Sequence, residues 1–244
     1  FAFWAWNIAL AIGFITLSQG MTEGREYAEF IAPFDWAVLL VIIVMAVNVF
    51  GTILTRKESS LYVTLWYFMG TFFWLPFVWL IGNRTFLALP GISDAIANWF
   101  YGHNIVGLWF TTVGVGMSYY FIPLLAGKPL FSHFLSIIGF FTIAIFYAPV
   151  GTHHILQSPV PAWLKTISIV SSGLLLVPVL TVLTNFFETM RGAWSKVFYN
   201  IPLKFFATGN IFYLLTCIQG PFQATRWANW YLHFSQWVVG HAHL

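Results

Sequence analysis

The chain carries seven histidines, and five of them (His103, His153, His154, His241 and His243) fall within or at the ends of apolar segments in a pattern that suggests shared chemistry. Neutral imidazole is a ligand for copper, zinc and iron. His153 and His154 are adjacent in Tyr147-Ala-Pro-Val-Gly-Thr-His153-His154. Neighbouring side chains diverge on a regular helix, but Pro149 and Gly151 break this one before the pair arrives. On irregular backbone both rings can turn to one metal. His103, in Tyr101-Gly102-His103-Asn104, offers a third imidazole, and three imidazoles with an open position leave room for a substrate. His241-Ala-His243 implies a different geometry. Residues i and i+2 point about 200° apart on a helix, so these two cannot share a metal but can each serve a separate centre on opposite sides of one helix. The competing reading of each motif alone is a buried histidine bonded to carbonyls; it is the joint pattern that argues for metal chemistry.

The elements that position these residues must lie in a membrane. The 244 residues are 59% hydrophobic and only 7% charged, against about 25% charged in average proteins, which leaves too few charges to cover a soluble surface. The net charge of +3 comes from scattered groups, not from a stripe that would fit nucleic acid. The one cysteine, Cys217, permits no disulfide within the chain. Eight apolar segments run over about 2–19, 34–55, 60–82, 99–126, 133–151, 163–187, 203–220 and 229–244. Lengths near 20 residues and the need to satisfy backbone groups internally favour helices over a barrel. The expectation is an all-α polytopic bundle of about eight spans, a single unit over 1–244. Phe1 at the start and Leu244 inside an apolar stretch read as cut ends of a larger subunit.

The even-numbered links between segments carry Arg56, Lys57, Lys128, Arg191 and Lys196, and the odd ones Arg25, Arg84 and Arg226. The positive-inside rule puts the even links in the cytoplasm. His103 then lies early in a span that starts outside, and His153 and His154 lie at the outer end of a span that finishes outside, so the three meet at one level. Tyr147 sits six residues before His153, about 9 Å deeper at 1.5 Å per residue, where a phenol can pass a proton up to a metal. The acidic first link, with Glu23, Glu26 and Glu29, reads as an ordinary solvated loop. Asn185, Glu188 and Arg226 read as interface anchors or solvated loop ends. A packing role accounts for Ser118, Tyr119 and Tyr120.

These motifs resemble subunit I of the haem–copper oxidases, and the C-type (cbb3-type) branch in particular. The likeness runs from about Trp99 to the end; the first three segments match by hydropathy alone. Tyr101-Gly102-His103-Asn104 is similar to the family's G-H-N, Tyr147 with His153-His154 to its Y-x5-H-H, and Gly240-His241-Ala242-His243 to its G-H-x-H. Other oxidase branches carry the tyrosine four residues after the first copper histidine, where this chain has Gly107, and the related nitric oxide reductases carry a glutamate there. Two departures stand out: Gln219-Gly220-Pro221 replaces the family's E-G-P in the proton-input region, and Gln236 precedes Trp237 where an aspartate is common.

The resemblance implies helices three to ten of a twelve-helix subunit. It implies copper on His103, His153 and His154, high-spin haem b3 on His241, and low-spin haem b on His243, with that haem's second ligand upstream of this chain. It makes Tyr147 the redox tyrosine, cross-linked to His103, and places His233 near the haem propionates. The implied activity is four-electron reduction of O2 to water, coupled to proton pumping in a bacterial inner membrane. Electrons would come from membrane-anchored c-type cytochrome subunits. The alternatives are a nitric oxide reductase of the same superfamily, a membrane haem protein that only carries electrons, and a transporter with buried histidine relays.

Overall fold

The computed structural model describes residues 1–244. Five helices are long and apolar enough to cross a membrane: Ala32–Leu54, Val63–Gly82, Ile92–Ala126, Ala162–Met190 and Ile201–Gln223. His133–Phe146 and Ala148–Ile155 make a sixth span if taken together, bent by 51° at their junction. The remaining two of the eight expected segments fall short by length. Ala2–Ser18 is a 17-residue helix, and the last segment breaks at His233-Phe234-Ser235 into Arg226–Leu232 and Gln236–His243. The break follows from Ser235, which adopts an extended conformation and accepts a hydrogen bond from the Trp237 amide, starting a new helix.

In chain order the helices are α1 (Ala2–Ser18), α2 (Ala32–Leu54), α3 (Val63–Gly82), α4 (Ile92–Ile105), α5 (Thr112–Ala126), α6 (His133–Phe146), α7 (Ala162–Leu174), α8 (Leu176–Met190), α9 (Trp194–Tyr199), α10 (Ile201–Gln223), α11 (Arg226–Leu232) and α12 (Gln236–His243). A π-helical turn, Val106–Thr111, joins α4 to α5, and a 3₁₀ segment, Ala148–Ile155, follows α6. The fourth span therefore begins at Ile92, seven residues earlier than hydropathy suggests, because Ser93, Asp94 and Asn98 dilute its first turns.

Local signals set the starts. Pro33 and Pro202 occupy the first turns of α2 and α10, where no amide donor is needed. Ser132 and Asn200 cap α6 and α10 by accepting amide bonds from Leu135 and Leu203. The core centres on Tyr67, Tyr119 and Phe186, which are fully buried where α3, α5 and α8 converge. Many other large apolar side chains point outward, as expected where lipid is the solvent.

Asn185 is not an interface group. It is fully buried, accepts from the Ser132 amide, and donates to the Ser132 carbonyl and the Ser136 hydroxyl, tying α8 to the start of α6. The first link is solvated only in part: Glu26 and Glu29 are exposed, but other members of it are tied down. Arg25 is 5% exposed, pairs with Asp94 at 2.5 Å, and donates to the Gly82 carbonyl. Thr85 bridges the link to α2 by donating to Glu23 and to Asp35. The link is thereby stapled to the connection between α3 and α4, above the segment that carries His103.

Candidate metal centre

His103 lies on α4, one turn before the π-helical turn. Asn104 beside it donates to the Phe100 carbonyl at 2.8 Å and to the Ala148 carbonyl at 3.2 Å, so α4 is joined to the 3₁₀ segment. Gly151 makes this approach possible: a Cβ there would collide with the backbone of Trp99 and Phe100. On its other side the segment is held to α7, where the Thr152 hydroxyl donates to the Leu164 carbonyl. Tighter 3₁₀ winding and the 51° bend turn both His153 and His154 toward His103.

The outcome is one cluster. A ligating nitrogen from each of His103, His153 and His154 lies within 4.8 Å of the other two. His103 Nδ1 and His154 Nε2 face each other at 3.1 Å, and the His153 ring stands edge-on to both, with centroids 4.7 Å and 4.3 Å away. Three metal–nitrogen bonds of about 2.0–2.1 Å put their nitrogens about 3.3–3.6 Å apart, so a small inward movement of the widest pair would close the set on one ion. The donor set is neutral imidazole, suited to copper, zinc or iron. The distal nitrogens differ in support. His153 Nδ1 lies 2.6 Å from the Ser172 hydroxyl on α7, while His103 Nε2 is buried with no partner. The Trp99 indole stacks on His154 at 4.1 Å and 12°.

Tyr147 caps α6 and stacks on His103, with centroids 5.0 Å apart at 30°. The tyrosine thus reaches the cluster itself, because the chain bends and stacks rather than rising straight along one axis. Gly107, in the π-helical turn, makes the room: a Cβ at that position would fall within the Tyr147 ring. A side chain at 107 and the tyrosine at 147 compete for one space, which gives a physical reason for their alternation between branches.

A cavity of about 690 Å³ opens beside the cluster, within the range of about 300–1,000 Å³ typical of cofactor pockets. His153, His154 and Trp99 form one wall; His241, Ala242 and Val238 of α12 form the opposite one. His241 Nδ1 is buried without a partner, and the ring lies over Gly220. His241 would hold a metal-bearing group in this cavity by an imidazole nitrogen. His233 lines the same cavity, together with Gln157, Gln223 and Asn229. Glu26 closes the rim, where burial and then neighbouring Glu29 raise its carboxyl above the usual range. His243 is exposed and faces away from the cavity; its Nδ1 lies 2.8 Å from the Val239 carbonyl, which fixes Nδ1–H and leaves Nε2 free. His133, at the start of α6, packs against Trp66 and joins neither group.

Two contributors escaped the sequence reading: Ser172 and Trp99. Trp99 had a usable signal, since it precedes His103 by four residues and so shares its helix face. Ser172 acts through a contact across the fold, and nothing in its local sequence marks it.

The chain resembles known proteins along its whole length. The family model described as cytochrome C and quinol oxidase polypeptide I matches residues 1–244. The chain is 32% identical over 251 residues to the Cbb3-type cytochrome c oxidase subunit CcoN1 of Stutzerimonas stutzeri, covering 100% of this chain and 53% of that one. It is 29% identical to cytochrome c oxidase subunit 1 of Rhodobacter capsulatus, covering 100% of this chain and 48% of that one. It is 30% identical to the cytochrome c oxidase subunit 1 homolog of Agrobacterium tumefaciens, covering 100% and 47%. The chain spans about half the length of the curated relatives it matches. A multi-pass helical bundle that matches this model along its whole length belongs to the cytochrome c and quinol oxidase polypeptide I family, the subunit I of haem–copper oxidases.

Proposed function

We propose that this chain is the catalytic part of a cbb3-type cytochrome c oxidase, reducing O2 to water in a bacterial inner membrane with coupled proton translocation. The observation that carries the reading is the three-imidazole cluster, two members of which, His153 and His154, line one cavity with His241. The branch assignment is supported by Tyr147 lying in the notch of Gly107 and by the name of the relative at 32% identity.

In this reading His103, His153 and His154 hold copper, His241 is the proximal ligand of haem b3, and His243 is one axial ligand of haem b. His233 lies beside the haem b3 propionates. Copper and haem iron, when bound, supply the redox chemistry that consumes four electrons and four protons per O2. The protein's own contribution is geometric and protonic. Trp99 and the 3₁₀ backbone hold the imidazoles in place. Tyr147 stands against His103, placed to give a proton and an electron as the O–O bond breaks. Protons must reach Tyr147 through an apolar bundle; Ser136, Asn185 and Tyr119 are hydrogen-bonded in a buried row, and the Tyr67 ring stacks on Tyr119 with its hydroxyl unpartnered. Gln219 carries no titratable proton, so it cannot act as the acidic relay that a glutamate at that position would provide. Electrons arrive from membrane-anchored c-type cytochrome subunits.

The test is His103→Ala in the purified complex. Copper content and oxygen turnover should fall to background while both b-type haem spectra persist. Retention of copper with full turnover would refute the ligand set.

A further inference from the structure

We infer that Ser172 is the positioning residue of the metal centre, fixing through its hydroxyl which nitrogen of His153 faces the ion. The inference rests on the copper reading above and extends it to α7, an element that contributes no ligand.

The three imidazoles are not held alike. His103 and His154 point nitrogens at each other, and the His103 ring is trapped by stacking on Tyr147. His154 is clamped under Trp99. His153 makes only edge-on contacts with the other two rings, and its one side-chain hydrogen bond is to Ser172, at 2.6 Å. Ser172 is 2% exposed. Serines and threonines within helices commonly bond back to a carbonyl one turn earlier. On α7, Thr166 and Ser168 do so, to Ala162 and Lys165, whereas the partner of Ser172 is His153. A hydroxyl that accepts Nδ1–H leaves the Nε2 lone pair free, and Nε2 is the nitrogen that can complete the set. Were the proton on Nε2, the ring would aim a donor at the ion. Hydrogen bonds of this kind on ligating histidines fix tautomer and ring orientation, and their loss typically costs about 10–100-fold in metal affinity.

Three forms of the purified complex test this: wild type, Ser172→Ala and Ser171→Ala. Ser171 is also buried on α7, so its variant controls for a cavity in the helix. The readouts are copper dissociation by competition with a copper chelator, haem content, and the carbonyl stretch of carbon monoxide on the reduced copper. Ser172→Ala should release copper about 10–100-fold more readily and broaden or shift the carbonyl band. Ser171→Ala should match wild type in both, with haem content equal in all three. Ser172→Thr, which keeps the hydroxyl, should restore affinity toward wild type. Wild-type copper binding with an unchanged Ser172→Ala would overturn the role of Ser172 and leave the ligand set standing. Equal losses in Ser172→Ala and Ser171→Ala would reduce Ser172 to packing. A wild-type complex without copper would overturn the ligand set and this inference together.

Discussion

Tyr147 shows how one side chain's position can depend on the absence of another. Its ring occupies the volume that a Cβ on Gly107 would fill, and the π-helical turn presents that notch just after the His103 helix ends. Bulges of this kind recur at functional sites because they re-aim side chains within an otherwise regular helix. Gly107→Ala should push the phenol off His103. Overpacking of this sort costs about 1–3 kcal/mol, so the variant should fold with a lowered melting temperature and retain haem. Its oxygen turnover should drop by at least about tenfold, a loss of at least about 1.4 kcal/mol in the barrier. Unchanged turnover would mean that the stacking of Tyr147 on His103 is incidental. The histidines were legible from sequence because imidazoles are scarce in apolar segments and their spacings are distinctive. Gly107 was legible as a departure from other branches, but its physical reason was not, since Tyr147 lies 40 residues further along the chain and only the fold brings them together.

At the scale of elements, the site is built where a span fails to be a regular helix. The 3₁₀ segment carries two imidazoles, the π turn makes room for the phenol, and α12 starts afresh after a break and presents His241. Pro149 and Gly151 announced the first irregularity in the sequence; the π turn had no such signal, because Val106–Thr111 is as apolar as its neighbours. The link between α1 and α2 was misread for a similar reason. Its charges look solvated locally, yet the partner of Arg25 is Asp94, 69 residues away. Removing one partner of a buried ion pair costs about 3–5 kcal/mol. Arg25→Ala should therefore lower the thermal stability of the detergent-solubilised complex by an amount of that order. Asp94 is partly exposed and can recover solvent, which favours the lower end. A melting curve superimposable on wild type would show that the staple contributes nothing.

For the whole molecule, orientation and the level of the cluster are linked. Two lysines at one end of the bundle cap each other's helices: Lys128 donates to the Arg191 carbonyl at the end of α8, and Lys196 to the Ala126 carbonyl at the end of α5, at 2.8 Å. Cations at helix C-termini are favourable, and Arg56 and Lys57 belong to the same set of links. The proposed placement of those links in the cytoplasm would put the three-histidine cluster in the outer half of the membrane. In otherwise wild-type cells, a membrane-impermeant maleimide should label Lys57→Cys only after the cytoplasmic face is opened. Arg84→Cys should be labelled from outside in intact cells. The reverse pattern would invert the topology and move the cluster to the cytoplasmic half. The apolar helical character of the segments was legible from hydropathy, but the number of full spans was not: of eight expected, five are long enough and a sixth is a bent pair.

In the proposed reading, copper is held by His103, His153 and His154 beside a haem on His241. A reduced-minus-oxidised spectrum of the purified complex, with copper quantified in the same sample and a second spectrum under carbon monoxide, tests it most directly. The account predicts two b-type haems, one of which shifts with carbon monoxide, and one copper for the pair. Two haems with non-haem iron and no copper would contradict it and identify a nitric oxide reductase, and a preparation without haem would contradict it altogether.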